Sequence, residues 1–456
     1  MKILFLRPRP TPETIGLQYV MLMEPLELEI LAALAGPDDV CSIVDLVLEK
    51  RPLGYFLQRE RPDVLCVTGY ITNVPEMKRY CRLAKGLSPN VVTILGGVHC
   101  EVCPADLDDP GVDYRVVRNA ATVFPRLLGH IKGQGDPPPG VLRPGENPDP
   151  AKLPPFEFVS PQPKRELTAK YRDKYFFIFH DRIALLKTSF GCPHSCSFCF
   201  CRVITQDLYF ERPLEQVMRE LDLIREREIY IVDDDFLASR DRVLAFIAAV
   251  RRHNLHKNFL VYGRADFIAA NPDVMADFAA LGLRSVIVGF ESFSDSELAE
   301  YQKDTDARTN AVAMHVLNKL GLTCFATIIL APDWGREDFR RCRRTMIGLG
   351  IHFVNLQPLT PLPATTIDVP EASLVFPRTD YHKWDLAHVT IRPTQLSEAE
   401  YYRQIIHLYR SILFQPRFLL RYLRSYPPRV LWRMLRGAWL VQKQYDRKLR
   451  EARRHA

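Results

Sequence analysis

The sequence predicts an α/β protein built from two parallel-sheet units and a helical C-terminal region. Three observations carry that prediction. Residues 1–133 alternate short apolar runs with helical stretches, the pattern of a doubly wound parallel sheet. Residues 177–363 resume the alternation with six apolar runs, and a polar cluster follows nearly every one. That is the layout of a partial (β/α)6 barrel, whose active site is made by the loops after the strands. Residues 364–456 are helix-rich and end in a basic amphipathic tail.

The 456 residues are 47% hydrophobic and 25% charged, which is ordinary for globular protein and enough to bury large cores. No run of about 18 uncharged apolar residues exists, so no transmembrane helix is expected. The apolar start is too short for a signal peptide and reads as a first strand. Eleven cysteines without such a signal fit a reducing cytoplasm, the expected location. The net charge of +7 is concentrated at one end. Residues 417–456 hold 12 Lys+Arg against 2 Asp+Glu, and the rest of the chain is net −3.

In order, strands are expected at 3–6, 40–46, 64–68, 91–95 and 112–117, and helices at 24–35, 52–60, 74–86 and 123–131. Ligands of such sheets sit beyond the C-terminal strand ends. Those ends carry Asp45, the turn Thr68-Gly69-Tyr70-Ile71-Thr72, and Gly96-Gly97, where missing side chains let a ligand approach or simply make a turn. Cys100 and Cys103 form a CxxC, with no second pair to complete a zinc site. Residues 134–176 are rich in proline and read as a surface linker without packed elements, pinned to the barrel by Phe156 and Phe158.

The apolar run 183–186 leads into Gly191-Cys192-Pro193-His194-Ser195-Cys196-Ser197-Phe198-Cys199. Three thiolates at this spacing can hold three irons of a [4Fe–4S] cluster and leave the fourth open. Cys201 lies just outside the pattern and reads as a core thiol. Strands follow at 229–232, 259–262, 286–288, 324–330 and 353–356, with helices between them. Their ends carry Asp233-Asp234-Asp235, Arg264-Ala265-Asp266 and Gly289-Phe290-Glu291-Ser292, then Ala331-Pro332-Asp333-Trp334 and Thr360-Pro361-Leu362-Pro363. The acidic triplet reads either as a solvated loop or cap or as a functional cluster, and Asp235 is assigned to cofactor binding. Helix is expected at 398–413. The tail beyond Pro416 alternates aromatic and aliphatic residues with arginine, which suits either an anionic membrane surface or packing on the barrel with snorkelling arginines. Nucleic acid is disfavoured, because the body is slightly acidic and carries no recognition motif.

The cysteine pattern, with aromatic Phe198 before the last cysteine, resembles the radical SAM superfamily. That resemblance implies that Cys192, Cys196 and Cys199 bind the cluster and that S-adenosylmethionine (SAM) occupies the open iron. It also implies that Glu291, with Gly289, contacts the amino group of SAM, and that Arg264 and Asp266 contact its ribose or carboxylate. The upstream order of Glu24-Pro25, Asp45, Pro62-Asp63 and Gly96-Gly97-Val98-His99 resembles the cobalamin-binding domain of the cobalamin-dependent subfamily. Tyr70 and Thr72, beside Ile71, are then expected below the corrin, with Gly96 and Gly97 also on the cofactor. Two departures stand out. Asp45-Leu46-Val47-Leu48-Glu49-Lys50 lacks the histidine and glycine of the DxHxxG type, and Arg118-Asn119-Ala120-Ala121 replaces a Gly-Glu-rich segment.

The barrel motifs together are similar to methyltransferases of the hopanoid C-3 methylase type, a layout shared with the anaerobic magnesium-protoporphyrin ester cyclase. The resemblance implies methylation of an unactivated carbon of an apolar, isoprenoid- or tetrapyrrole-like substrate. An electron donor such as flavodoxin or ferredoxin is implied, and a peripheral membrane contact through 417–456 is expected. The alternatives are a non-methylating cyclase or rearrangement enzyme, and a non-catalytic cobalamin- or cluster-binding protein.

Overall fold

A computed structural model describes residues 1–454, with Arg202 described by its backbone; of the expected C-terminal region 364–456, residues 455–456 lie outside them. The N-terminal sheet contains β1 (Lys2–Arg7), β2 (Val40–Asp45), β3 (Val64–Thr68), β4 (Val92–Gly96), β5 (Tyr114–Val116) and β6 (Val141–Leu142). The strand order is β2-β1-β3-β4-β5-β6, parallel except for β6. Successive residues of β1 and β3 face opposite sides. Leu4, Leu6, Leu65 and Val67 pack under α2 (Leu53–Glu60) and α3 (Val74–Leu87). Ile3, Phe5, Val64 and Cys66 pack under α1 (Leu26–Ala33) and α4 (Ala120–Ile131). Both faces are covered, so these strands are nearly unbroken apolar runs rather than alternating ones. The order reverses between β1 and β3, which puts the ligand crevice of such a sheet beyond Arg7 and Thr68.

The second sheet runs in sequence order and wholly parallel: β7 (Ala184–Leu186), β8 (Glu228–Ile231), β9 (Asn258–Gly263), β10 (Leu283–Glu291), β11 (Thr323–Leu330) and β12 (Phe353–Pro358). Among the described residues β7 and β12 do not pair, so the barrel is open. Leu185, Tyr230, Leu260, Ile287 and Phe325 point inward. Phe177, from the hairpin of Phe176–Phe177 and His180–Asp181, packs edge-on against Tyr230 and Phe325, with ring centres 5.7 and 4.9 Å apart. It closes the apolar interior.

The expected linker 134–176 is not a bare surface crossing. It supplies β6 to the first sheet, and Arg165–Lys174 forms a 3-10 helix that buries Thr168 and Tyr171. Arg165 donates to Glu24 of the first unit at 2.5 Å and to Glu220 of the barrel at 2.8 Å, and Arg172 also pairs with Glu24. Glu24 in turn accepts from the backbone N–H of Leu185 at 2.5 Å. The prolines break regular backbone ladders but leave ionic and aromatic packing open to their neighbours. Phe156 stacks on Phe190 and lies near Phe210, and Phe158 packs on Phe190. Asn119, in the left-handed region at φ 51°, donates to Pro155 O at 2.7 Å and accepts from Glu157 N at 2.9 Å. The Arg118–Ala121 departure therefore ties down this segment.

At the C-terminus, α5 (Glu398–Leu413) hangs its tyrosines on strand ends. Tyr401 donates to Ala331 O at 2.8 Å, and Tyr409 accepts from Leu356 N at 2.9 Å. Then come α6 (Pro416–Ser425) and α7 (Pro428–Arg454). No helix among the described residues is long and apolar enough to cross a membrane.

Candidate functional site

The cysteine loop is held by the acidic triplet after β8. Asp233 is buried and accepts from Thr188 N at 2.6 Å and from the hydroxyls of Thr188 and Ser189 at 2.5 and 2.8 Å. Burial raises its pKa, and Lys187 opposes that shift. Asp234 accepts from Gly191 N at 3.1 Å and pairs with Lys187 at 3.3 Å. Gly191 has φ 82°, and a Cβ there would lie 2.1 Å from Leu208 O, so only glycine fits. Asp233 and Asp234 are thus the fastenings of the loop, not a solvated turn.

Cys196 is buried, while Cys192 and Cys199 are half-buried. Ser197 N donates to Tyr301 O at 3.1 Å, and Phe198 meets Tyr301 edge-on at 6.0 Å. Burial pushes the Cys196 thiol up, while Lys303 and Arg264 pull it down. Arg264 Nη1 lies 3.7 Å from Cys196 Sγ. The rest of Arg264 is engaged by Asp266 at 2.9 Å and by Lys303 O at 2.5 Å.

Glu291 and Asp235 differ in what they hold. Glu291 is buried with φ 60°, a strained backbone for a residue with a side chain. Its Oε1 lies 3.1 Å from Lys303 Nζ, and its Oε2 accepts from Thr327 at 3.4 Å. A Cβ on Gly289 would sit 2.2 Å from Glu291 Oε1, so Gly289 makes room for that carboxylate. Asp235 Oδ1 accepts from Leu237 N at 3.1 Å. Its Oδ2 is buried without a hydrogen-bond donor, and His194 Nε2 stands 3.5 Å away. Buried carboxylate oxygens are nearly always satisfied, so this one fits an absent donor.

Across the junction stands the turn after β3. Tyr70 is 63% exposed, and its phenol is pushed up by the protein packed near it and then by Glu27, with Tyr262 and Asp234 acting from the barrel side. Ile71 packs into the cluster of Leu374, Trp384 and Ile391, which brings the Tyr70–Thr72 turn against the barrel's exit loops. Gly97, at φ 94°, lets the β4 loop lie on the β3 loop, because a Cβ would meet Thr68 Oγ1 at 2.5 Å. Gly96 faces open space, with Val116 as its nearest neighbour at 4.0 Å. The turn at 45–50 is covered: Val47 and Leu48 pack on Tyr171 and Tyr175, and Asp45 is buried beside Arg7. Cys100 is buried in the core, and Cys103 lies instead beside His99 and Asp106, which are 2.8 Å apart.

Lys303, His194, Thr327 and Tyr262 were not anticipated. Lys303 sits in a polar stretch that reads as surface. Left-handed backbone at Gln302 and Asp304 turns it inward.

A three-cysteine loop at the mouth of an open six-stranded barrel, facing a flavodoxin-like sheet, defines a radical SAM enzyme with a cobalamin-binding domain. Residues 186–346 match the Radical SAM superfamily, and residues 13–128 match the B12 binding domain. The hopanoid C-3 methylase of Methylococcus capsulatus is 30% identical over 419 residues, covering 89% of this chain and 79% of that protein. The chain belongs to the cobalamin-dependent radical SAM methyltransferase family. The anaerobic magnesium-protoporphyrin IX monomethyl ester cyclase of Rubrivivax gelatinosus is 22% identical, covering 79% of this chain and 67% of that one. The fold is that of TsrM from Kitasatospora setae, solved with cobalamin and a [4Fe-4S] cluster bound. That structure has a TM-score of 0.66 at 16% identity, covering 100% of this chain and 99% of that one. Membership brings a [4Fe–4S] cluster, SAM and cobalamin as cofactors.

Proposed function

We propose that this enzyme transfers a methyl group to an unactivated carbon of an apolar small molecule, isoprenoid- or tetrapyrrole-like. When bound, the cluster with SAM supplies a 5′-deoxyadenosyl radical, and methylcobalamin supplies the methyl group. Cys192, Cys196 and Cys199 hold three irons, and Asp233 and Asp234 fix the loop that carries them. Asp235 Oδ2 takes the ammonium of SAM, because of the buried carboxylate oxygens without a donor, those of Glu29, Glu220 and Asp235, it is the one beside the cysteine loop. Glu291, which the resemblance assigns to the same ammonium, pairs with Lys303 at 3.1 Å and orients it, and the Lys303 ammonium meets the SAM carboxylate. Arg264 lies against the cluster side, tied by Asp266. Tyr70, Ile71 and Thr72, with Gly96 and Gly97, line the cobalamin side. The apolar barrel interior below the site keeps water away from a reactive radical.

The observation that carries this reading is the orphaned Asp235 oxygen beside the cysteine loop. Electrons arrive from a small one-electron carrier such as flavodoxin or ferredoxin, and residues 417–456 meet a membrane surface where such substrates reside. Anaerobic turnover with SAM labelled in its methyl group tests the function. Labelled product together with 5′-deoxyadenosine is expected. Unlabelled product assigns the chain to cyclisation or rearrangement, and absence of 5′-deoxyadenosine under strong reductant assigns it to a non-catalytic role.

A further inference from the structure

We infer that the outer face of α6 and α7 is an anchor for an anionic phospholipid bilayer, with Trp432, Leu435 and Trp439 as the side chains that enter the interface. The inference rests on the proposed membrane contact of the tail, and it adds which residues make that contact and which lipid charge they read.

One side of α7 is locked to the body. Gly437 packs on the chain at Tyr19, where a Cβ would meet Tyr19 O at 2.5 Å. Arg433 donates to Ile178 O at 2.6 Å, and Gln444 to Thr14 O at 3.0 Å. The helix is therefore a rigid platform, and its opposite side faces outward. Trp432, Leu435 and Trp439, spaced i, i+3, i+7, are 63%, 53% and 54% exposed, while the chain's other tryptophans, Trp334 and Trp384, are buried. Leu420 and Leu423 of α6 are exposed as well. A contiguous apolar stripe of this kind marks a surface that is covered in use.

Charge selects what covers it. Arg436 lies over the Trp432 ring at 5.4 Å, and Lys443 over the Trp439 ring at 3.7 Å. Each ring thus carries a cation at its face, so a ring placed among headgroups brings a positive charge to the lipid phosphates. Residues 417–456 hold 12 Lys+Arg against 2 Asp+Glu, while the remainder of the chain is net negative, so the attraction to anionic lipid is concentrated in this tail. The two acids are occupied locally, Asp446 by Gln442 and Glu451 by Lys448. Aliphatic Leu420, Leu423 and Leu435 interleave with the cations, and a phosphodiester backbone would leave them uncovered.

Intact holoenzyme is sedimented with vesicles of phosphatidylcholine alone and with added phosphatidylglycerol, and tryptophan emission is read with acrylamide as quencher. Binding to the anionic vesicles is expected, with a blue shift and loss of quenching that report Trp432 and Trp439 directly. The pair Trp432→Ser with Trp439→Ser is expected to lower partitioning at least about tenfold. The pair Arg436→Gln with Lys443→Gln is expected to lower it about tenfold or more on anionic vesicles only. Circular dichroism confirms that each variant is folded. If the tryptophan variant binds like wild type, this stripe is not the anchor and the broader membrane reading survives. If wild type binds no vesicle, both fall. Equal binding to neutral and anionic vesicles overturns the charge component. Tight nucleic-acid binding without vesicle binding, or a dimer that already shields the tryptophans, gives the face another partner and overturns the inference.

Discussion

Replacing Lys303 with methionine separates what holds the site together from what binds SAM. Its ammonium is buried 3.1 Å from Glu291, and the ion pair raises its pKa against the cost of burial. Methionine keeps the stem but leaves the Glu291 carboxylate buried with only Thr327 as donor. Breaking a buried pair from one side costs about 3–5 kcal/mol, so folding stability is expected to fall by that order. Changing Glu291 to glutamine as well removes the stranded charge and recovers most of the loss, giving a coupling energy of about 1–3 kcal/mol between the two positions. SAM affinity behaves differently. A charge-assisted hydrogen bond is worth about 1.5–3 kcal/mol, so the dissociation constant is expected to rise roughly 10- to 150-fold in Lys303→Met. It stays weak in the double variant, because the ammonium is still missing. Chemical denaturation gives the first quantity, and anaerobic equilibrium titration of the cluster's spectrum with SAM gives the second. A single variant that binds SAM within twofold of wild type refutes the assignment of Lys303 to the SAM carboxylate. A double variant that recovers binding along with stability shows that Lys303 acts only on the fold.

Gly191→Ala is expected to cost the cluster, because the new Cβ meets Leu208 O at 2.1 Å and the backbone is left-handed; iron and sulfide content after reconstitution measures it. Glu24→Ala removes the carboxylate shared by Arg165 and Arg172, which keep Glu220 and a longer contact to Glu226, and a loss of about 1–3 kcal/mol in denaturant unfolding is expected. Burial and then Glu24 push the Glu29 carboxyl up from 4.5 to about 8, against the pull of Arg165 and Thr168. A carboxyl raised on folding gives stability that is fully present below its unfolded value and lost as pH rises through the folded one. Stability is therefore expected to decline from about pH 4.5 toward 8, and Glu29→Gln to flatten that decline in a pH series of melting curves.

The two sheets were legible in the sequence because buried parallel strands are continuous apolar runs, as at 3–6 and 64–68; most bounds fall within two residues of those observed, but β10 runs three residues further at each end than the expected 286–288, and β6 was not expected. The cysteine loop was legible because its spacing and its glycine are local. The clamp at 165–174 was not, since proline density announces irregular backbone but says nothing of which arginine finds Glu24 some 140 positions away in sequence. The pairing of Glu291 with a buried lysine was hidden for a similar reason. It depends on Lys303, whose inward turn is set by two left-handed residues that no hydrophobic pattern marks. In the tail, Arg433 and Arg447 pack on the body along one side of α7, as one of its two sequence readings expects, while Trp432 and Trp439 are left exposed along the other.

Electron paramagnetic resonance of the reconstituted, reduced enzyme tests the central claim most directly, that three cysteines hold a cluster whose fourth iron is kept for SAM. The expected result is a [4Fe–4S] signal that shifts on adding SAM in wild type, shifts only at higher SAM in Asp235→Asn, and is lost in Cys196→Ser. A signal that SAM leaves unchanged, or that survives intact in Cys196→Ser, contradicts it.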